Sequence, residues 1–445
     1  MMDSVGSKSP KMKQMTLSLM QLSVTDGQIC YRLPFDHNPE RKKLYVISGF
    51  PILAWSSGMF WDEANAWFSY QAQGIPISSI KLATIQNNGY GLLSFMKFLE
   101  IHDLDWDYLP IVSAERAINR YRGHLIYMRD EGVLSPSTVS ARMAVILRFY
   151  RWAQHHNILG GSQFEKITCK IIRVRDQFGR MARMPLSFSN LSIPNRKRTV
   201  DVVEGGLIPL EIADRDLLLD FAATNACPEL YLMLKVAFFT GLRIDSICDL
   251  KLNSLEWAYP DNNNKLYWVN VGPNVKGAPV KTKFSVNGRV LISKDLLDEL
   301  KTYSKSMRRL LREGKAHGSD KHLLFINKNG RTYCRIDGIS SSSINGMISK
   351  LKKKALHNHL DISDFHMHRA RATFGTSVVL AGLALVPKIH ISTVISFARD
   401  LLLHKDEVAT MTYIKFIQNR EIKAAFADEY TRELIGSFAM GNHNE

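Results

Sequence analysis

The chain has 445 residues, 45% of them hydrophobic and 22% charged, a balance that excludes wholesale disorder and leaves room for about three ordinary domains. Lys and Arg number 58 against 42 Asp and Glu, a formal net charge of +16, which favours a polyanionic partner such as nucleic acid. No run of about 18 apolar residues occurs and the start, MMDSVGSKSPKMKQM, is polar, so neither a membrane span nor a secretory signal is expected and the protein is expected in the cytoplasm. The 5 cysteines, Cys30, Cys169, Cys227, Cys248 and Cys334, are odd in number and form no C-x-x-C pair. That argues against a disulfide framework and a zinc site.

Residues 1–58 show no strong pattern and form an extension of unassigned fold. Residues 59–160 read as a small helical domain, with helices expected over 62–72, 83–102, 113–130 and 135–155. The last of these is the clearest. Ser135-Pro136 is a helix-start signal, and Val139, Met143, Ile146, Tyr150 and Ala153 follow on one face. Arg142, Arg148 and Arg151 alternate there with Phe149 and Trp152, giving either a basic nucleic-acid face or a solvated one.

Residues 161–204 read as a basic interdomain linker. Between 161 and 200 they carry nine basic side chains, Arg173 and Arg175 among them, against Glu165 and Asp176. Pro185 and Pro194 punctuate the stretch without helical periodicity. A solvated linker is one reading; a cationic strap tracking a phosphate backbone is the other.

Residues 205–445 form a mixed domain. A buried helix over 229–239 is broken at Thr240-Gly241, and Arg243 opens another. Short strands are expected at 266–271, 281–286 and 289–293, with Asn287-Gly288 predicting a hairpin between the last two. Helices are expected at 294–313, 340–356, 371–381, 391–403 and 420–437. The fold class is mainly α with a small antiparallel sheet: a helical domain followed by a mixed α/β domain.

Three short contexts stand out. Thr240-Gly241-Leu242-Arg243-Ile244 places an arginine at a helix start. In His368-Arg369-Ala370-Arg371-Ala372-Thr373-Phe374-Gly375-Thr376, His368 and Arg371 share one helical face. Leu401-Leu402-Leu403-His404 is followed nine residues on by Tyr413 in Thr410-Met411-Thr412-Tyr413-Ile414. In this order and spacing the residues resemble the tyrosine recombinase, or phage integrase, family of site-specific DNA recombinases. The likeness covers about 205–430 and extends to STVSARMAVILRFYRWA, which is similar to the last helix of the family's core-binding domain.

The resemblance implies that Arg243, Lys283, His368, Arg371, His404 and Tyr413 are catalytic. Lys283 is chosen because it lies seven residues before Val290, in the small sheet; Lys276, in the loop before Gly277, is the alternative and a candidate DNA contact. A phosphodiester under attack gains charge on its nonbridging oxygens, which two planar arginines can clamp. Tyrosine, with a phenolic pKa of about 10, needs help losing its proton, and His368 or a neighbouring water would supply it. The attack implied by the family leaves a 3′-phosphotyrosine, with Lys283 protonating the departing 5′-oxygen and His404 hydrogen-bonding the phosphate. Because the phosphotyrosine preserves bond energy, no cofactor is expected. The sequence has no G-x-x-x-x-G-K-[ST] and no carboxylate cluster suited to metals.

Three departures from the family pattern stand out. Leu403 replaces the glycine usual before the second histidine, Ser246 stands where an acidic residue is expected, with Asp245 one place earlier, and the stretch from Gly382 to His404 is long. The tail carries Ile422, Ala425, Phe426, Tyr430, Leu434 and Ile435 at partly helical spacing. The resemblance implies that it docks on a neighbouring protomer of a homotetramer on two DNA sites; docking on its own domain is the alternative. The expected partners are double-stranded DNA and accessory proteins, with the chain nucleoid-associated when bound. The integrase of a mobile element is the leading reading. A type IB topoisomerase-like enzyme and a non-catalytic DNA-binding protein on the same fold are the rivals.

Overall fold

The structure is a computed structural model that describes residues 9–18, 21–25, 28–32, 46–73, 82–160, 163–175, 181–195, 202–203, 206–334, 342–385 and 389–421. The chain divides into two compact units, Met1–Arg198 and Thr199–Glu445.

In the first unit, β1 (Lys11–Ser18) pairs antiparallel with β4 (Val46–Ala54), and β2 (Gln21–Thr25) pairs with β3 (Gln28–Arg32). Helices α1 (Asp62–Ala72), α2 (Leu82–His102), α3 (Ala117–Asp130) and α4 (Pro136–His155) follow. The periodicity of α4 does what it promises: Val139, Met143, Ile146, Tyr150 and Ala153 are all fully buried. The Ser135 hydroxyl accepts from the Thr138 N–H at 3.2 Å, capping the helix. The core is strongly aromatic. Trp61 meets Phe149 edge-on at 5.5 Å, and Trp106 lies 5.0 Å from the same ring.

This core does not stop at the boundaries expected from sequence. Phe50 and Leu53 of β4 belong to it, as do Phe164, Leu191 and Ile193 from the stretch read as a linker. Asn65 of α1 binds both backbone groups of Leu53, at 2.8 and 3.0 Å. The supposed linker also contains a two-stranded ribbon, β5 (Ile167–Arg175) with β6 (Met181–Ser189). Pro185 is tolerated there because each strand of a ribbon has one edge that needs no donor.

The second unit is built around α6 (Pro228–Thr240), apolar on nearly every side: Leu230, Leu232, Met233, Leu234, Val236, Ala237 and Phe238 are buried. It is preceded by α5 (Ile212–Asn225) and followed by the short α7 (Ile244–Cys248) and α8 (Leu252–Glu256). The sheet runs β7 (Tyr259–Pro260), β8 (Leu266–Val271), β9 (Gly288–Ser293), all antiparallel. Val269, Val271, Val290 and Ile292 turn inward beneath it.

Here one expectation is corrected. Residues 281–286 are not a strand, and Asn287-Gly288 is not a two-residue hairpin; β8 pairs directly with β9. Lys283–Ser285 form a 3-10 turn in which Phe284 and Ser285 have φ of 62° and 56°. Both edges of the Lys281 peptide are taken elsewhere. Its N–H donates to Asp249 Oδ2 at 2.7 Å, and its carbonyl accepts from Ser246 Oγ at 2.7 Å. The Asn287 side chain serves as an acceptor for the Asn274 N–H at 3.0 Å.

The remaining helices are α9 (Lys294–Ser304), α10 (Met307–Glu313), α11 (Ser342–His357), α12 (Met367–Leu383), α13 (Ile391–Leu401) and α14 (407–421). The single helix expected over 294–313 is two, because the Ser306 hydroxyl caps a new start by accepting from the Arg309 N–H at 3.4 Å. The long stretch after Gly382 contains α13. Of the helix expected over 420–437, residues 422–437 lie outside the described residues, as do the tail positions proposed to dock.

Candidate active site

The first motif sits where α6 ends. The Thr240 hydroxyl donates to the Val236 carbonyl at 2.7 Å, and Gly241 follows with φ of 66°. Glycine is required there twice over: the conformation is left-handed, and a Cβ would collide with the Phe374 ring of α12. The turn leaves Arg243 as the half-buried residue preceding α7.

The second motif is the start of α12. Arg371 is 1% exposed. One terminal nitrogen, Nη1, donates to the Gly241 carbonyl at 2.5 Å, and Nη2 donates to the Leu402 carbonyl. A single buried side chain thus fastens the turn before Arg243 to the end of α13. His368 lies one turn earlier on the same helix, half-buried.

The third motif begins as α13 closes. Leu403 adopts φ of 48°, and the His404 N–H reaches back to the Arg399 carbonyl at 3.0 Å, the hydrogen bond of a Schellman ending. A leucine in this conformation costs about 1 kcal/mol relative to glycine. Its buried side chain offsets that by filling space opposite Gly288, where a Cβ would stand 2.5 Å from Leu403 Cδ2. The departure at Leu403 therefore keeps the left-handed turn.

His404 is buried, with Nδ1 2.9 Å from the Thr410 hydroxyl of α14. Its ring lies near that of Tyr413, centroids 6.2 Å apart and planes inclined by 28°. Tyr413 is fully buried, its ring against Gly375 of α12, where a Cβ would fall 2.5 Å from Cε1.

Arg371, His404 and Tyr413 are thus gathered by α12, α13 and α14. Lys283 is exposed, with Nζ 5.2 Å from the Phe284 ring centroid. Lys276 is exposed in the turn before Gly277. Ser246, at the position where the acidic residue was expected, is nearly fully buried and holds the Lys281 carbonyl. It therefore ties the lysine-bearing loop to α7, the helix that Arg243 precedes. Asp245 instead accepts from the Cys334 thiol at 3.5 Å. Thr410 and Asp249 escaped the sequence reading, although Thr410 lies only six residues after His404.

Of the residues expected to meet DNA, Arg142 donates to Ser94 Oγ and Arg148 to Asn88 Oδ1, each at 3.0 Å. Arg151 grips Glu165 through two bonds of 2.6 and 2.9 Å, a contact that raises its pKa. Arg173 and Arg175 lie in β5, opposite Arg183 and Met181.

Residues 211–416 match the model of the phage integrase family. The chain carries a domain of that family, whose members are tyrosine recombinases that cleave and rejoin DNA. No curated protein sequence matches the chain. Among solved structures, the Tn1549 transposon integrase in complex with a circular intermediate DNA is similar at 17% identity, over 78% of this chain and 93% of that one, with a TM-score of 0.46. A lambda integrase dimer bound to a COC′ core site is 15% identical over 78% of this chain and 76% of that one, with a TM-score of 0.41. XerA recombinase is 17% identical over 81% and 98%, with a TM-score of 0.33. Among the described residues, no helix is long and apolar enough to cross a membrane, and no group of three or more His, Cys, Asp or Glu could hold a metal ion.

Proposed function

We propose that the protein is the site-specific recombinase of a mobile element, cleaving and rejoining duplex DNA through a 3′-phosphotyrosine at Tyr413. The observation that carries this is the placing of Arg371, whose buried guanidinium joins the turn before Arg243 to the turn before His404. A guanidinium held in this way suits the developing charge on a phosphodiester, and fixed donors act most strongly where water is excluded. In this reading Arg243 and Arg371 clamp the nonbridging oxygens, His404 donates to the same phosphate and His368 assists proton loss from Tyr413. Lys283, on the loop fastened by Ser246, protonates the leaving 5′-oxygen; Lys276 is the alternative.

Tyr413 is fully buried, so attack requires α14 to shift and bring the phenol to the phosphate. DNA is held by the helices of 59–160 and the basic stretch of 161–204, through Arg142, Arg148, Arg173, Arg175 and Lys276. Arg151 is the weakest member of that set because Glu165 already occupies its fork. A homotetramer on two duplexes, with residues of the tail reaching a neighbour, accessory proteins and residence in the nucleoid complete the proposal.

The test is incubation, without metal or ATP, with nicked suicide duplexes tiled across the DNA flanking the gene. A denaturant-resistant adduct is expected with the wild type and none with Tyr413→Phe. Specific binding without any adduct favours the non-catalytic reading. Relaxation of supercoiled DNA carrying a single site favours the topoisomerase reading.

A further inference from the structure

We infer that Phe284 is a positioning residue for Lys283: its exposed ring rests on the nucleotide that carries the leaving 5′-oxygen and so delivers the neighbouring ammonium to that oxygen. The inference rests on the role proposed for Lys283 and specifies how the loop performs it.

Phe284 stands in a conformation that a phenylalanine rarely adopts. Its φ is 62° and that of Ser285 is 56°, the one consecutive pair of left-handed non-glycine residues among the described residues. Elsewhere the left-handed region is taken by types that tolerate it, at Asp103, Asn157, Asn264 and His359, or is offset by a buried side chain, as at Leu403. Neither applies to Phe284. Its side chain is 63% exposed, so the folded chain gains little from the ring that it strains to present. Residues held in this way persist where their surroundings over-determine them, and they gather where ligands are clamped.

The surroundings here are specific. At the base of the loop, the Lys281 peptide is pinned by Asp249 and by Ser246 of α7. Above it, the Thr282 hydroxyl donates to the Val286 carbonyl at 2.6 Å and the Ser285 N–H donates to the Thr282 carbonyl at 3.2 Å. These bonds close the tip and leave the side chains of Lys283 and Phe284 exposed on it. Because Arg243 directly precedes α7, the tip is held in register with the first arginine of the site.

Distance then fixes what the ring meets. Lys283 Nζ lies 5.2 Å from the ring centroid, within the range at which the face of an aromatic ring attracts an ammonium. In the cleavage step the Tyr413 oxygen bonds to phosphorus, the bond from phosphorus to the 5′-oxygen breaks, and Lys283 gives that oxygen a proton, leaving a 5′-hydroxyl and a neutral amine. Transfer requires Nζ to come within about 3 Å of the oxygen, which brings the ring centroid to within about 8 Å of it. The deoxyribose and base of the same nucleotide lie at that distance, and an aromatic face stacks on a base whatever the sequence.

The test is single-turnover cleavage, at saturating protein, of two suicide duplexes, one ordinary and one with sulfur in place of the leaving 5′-oxygen. A thiol ionises near about pH 8.5, so the sulfur departs without a proton donor and a misplaced Lys283 no longer matters. Phe284→Ala is expected to slow the ordinary duplex by about tenfold, the loss of one stacked aromatic, and to cleave the sulfur duplex close to wild type. Phe284→Tyr, which keeps the ring, should restore cleavage of the ordinary duplex. Phe284→Gly, which removes the ring and relieves the left-handed backbone, should cleave like F284A and melt at or above the wild-type temperature. Wild-type cleavage by F284A, equal slowing of both duplexes, equal loss in F284A and F284Y, or an F284G that melts well below wild type each overturns the inference. Lys283→Ala separates the two levels. If sulfur rescues K283A while F284A is normal, only the role of Phe284 falls. If sulfur leaves K283A impaired, whether or not it rescues Lys276→Ala, the role of Lys283 falls and this inference with it.

Discussion

Arg151 in the first unit and Arg371 in the second are both helical arginines bound at both ends of the guanidinium fork, yet they are bound to different things. Arg151, 47% exposed, meets the carboxylate of Glu165, and the pair fastens the residues after α4 back onto that helix. Arg371, 1% exposed, meets two backbone carbonyls. A carboxylate cancels the charge it binds, whereas carbonyl dipoles fix a guanidinium in place without cancelling its charge. The first contact ties two segments of one unit through an ion pair, and the second ties two turns through their backbone. A similar contrast separates the cores: interlocked aromatic rings hold the first unit, whereas the second also encloses the carboxylate of Glu229, gripped by Arg308, Arg312 and Tyr303.

The contrast breaks most visibly under substitution. Arg371→Lys cannot serve both carbonyls and a phosphate, and cleavage of a suicide duplex is expected to fall by about 100- to 1,000-fold. Arg151→Ala should leave the cleavage step at saturating protein within a few fold of wild type. Equal losses in the two variants would erase the distinction.

Glu229 provides the next largest effect. Burial alone would raise its pKa, but Arg308 and Arg312 outweigh that and hold it below the ordinary value. Glu229→Ala strands the buried donors Tyr303 and Arg312, while Arg308 is half in water, and is expected to cost about 1–3 kcal/mol in denaturant unfolding of the second unit. Glu165→Ala, whose partner is half in water, should cost about 1 kcal/mol.

The smallest effect is one of pH and belongs to the first unit. Burial lowers the pKa of His124 and of His156, with neighbouring positive groups adding to it. Below about pH 6.5 the unfolded chain takes up protons on these rings before the folded one does, so their contribution is lost as pH falls through the folded values. A melting temperature measured from pH 7.5 to 5.5 should decline, and His124→Gln with His156→Gln should flatten that decline. An unchanged slope in the double variant would remove these two groups from the account.

The sequence exposed most of the candidate site because its signals are local. Gly241 with Arg243, His368 with Arg371, and His404 with Tyr413 each lie within a turn or two of backbone, so spacing alone carries them. Helix α4 was equally open, since its apolar face repeats cleanly, and α1 to α3 were legible from less regular patterns. What stayed hidden depended on partners distant in sequence. The alternating residues 281–286 look like a strand, but Ser246 and Asp249 capture the Lys281 peptide and prevent it. The ribbon β5–β6 was concealed by Pro185, which is a breaker in a central strand and harmless here. In β1, Lys13, Gln14 and Met15 are all exposed, so no alternation marks the strand. The run Leu217-Leu218-Leu219 in α5 blurs its periodicity, because Leu217 is exposed beside two buried neighbours.

Leu403 and Gly288, at the end of α13 and the start of β9, share one small volume between them. The leucine bends into a conformation it dislikes, and the glycine gives up a side chain so that the leucine has somewhere to rest. Neither position can therefore be chosen alone. Glycine at 403 would relax the backbone and open a hollow, and a larger residue at 288 would evict the leucine. Any redesign of the turn before His404 must treat these two sites, over a hundred residues apart along the chain, as a single letter.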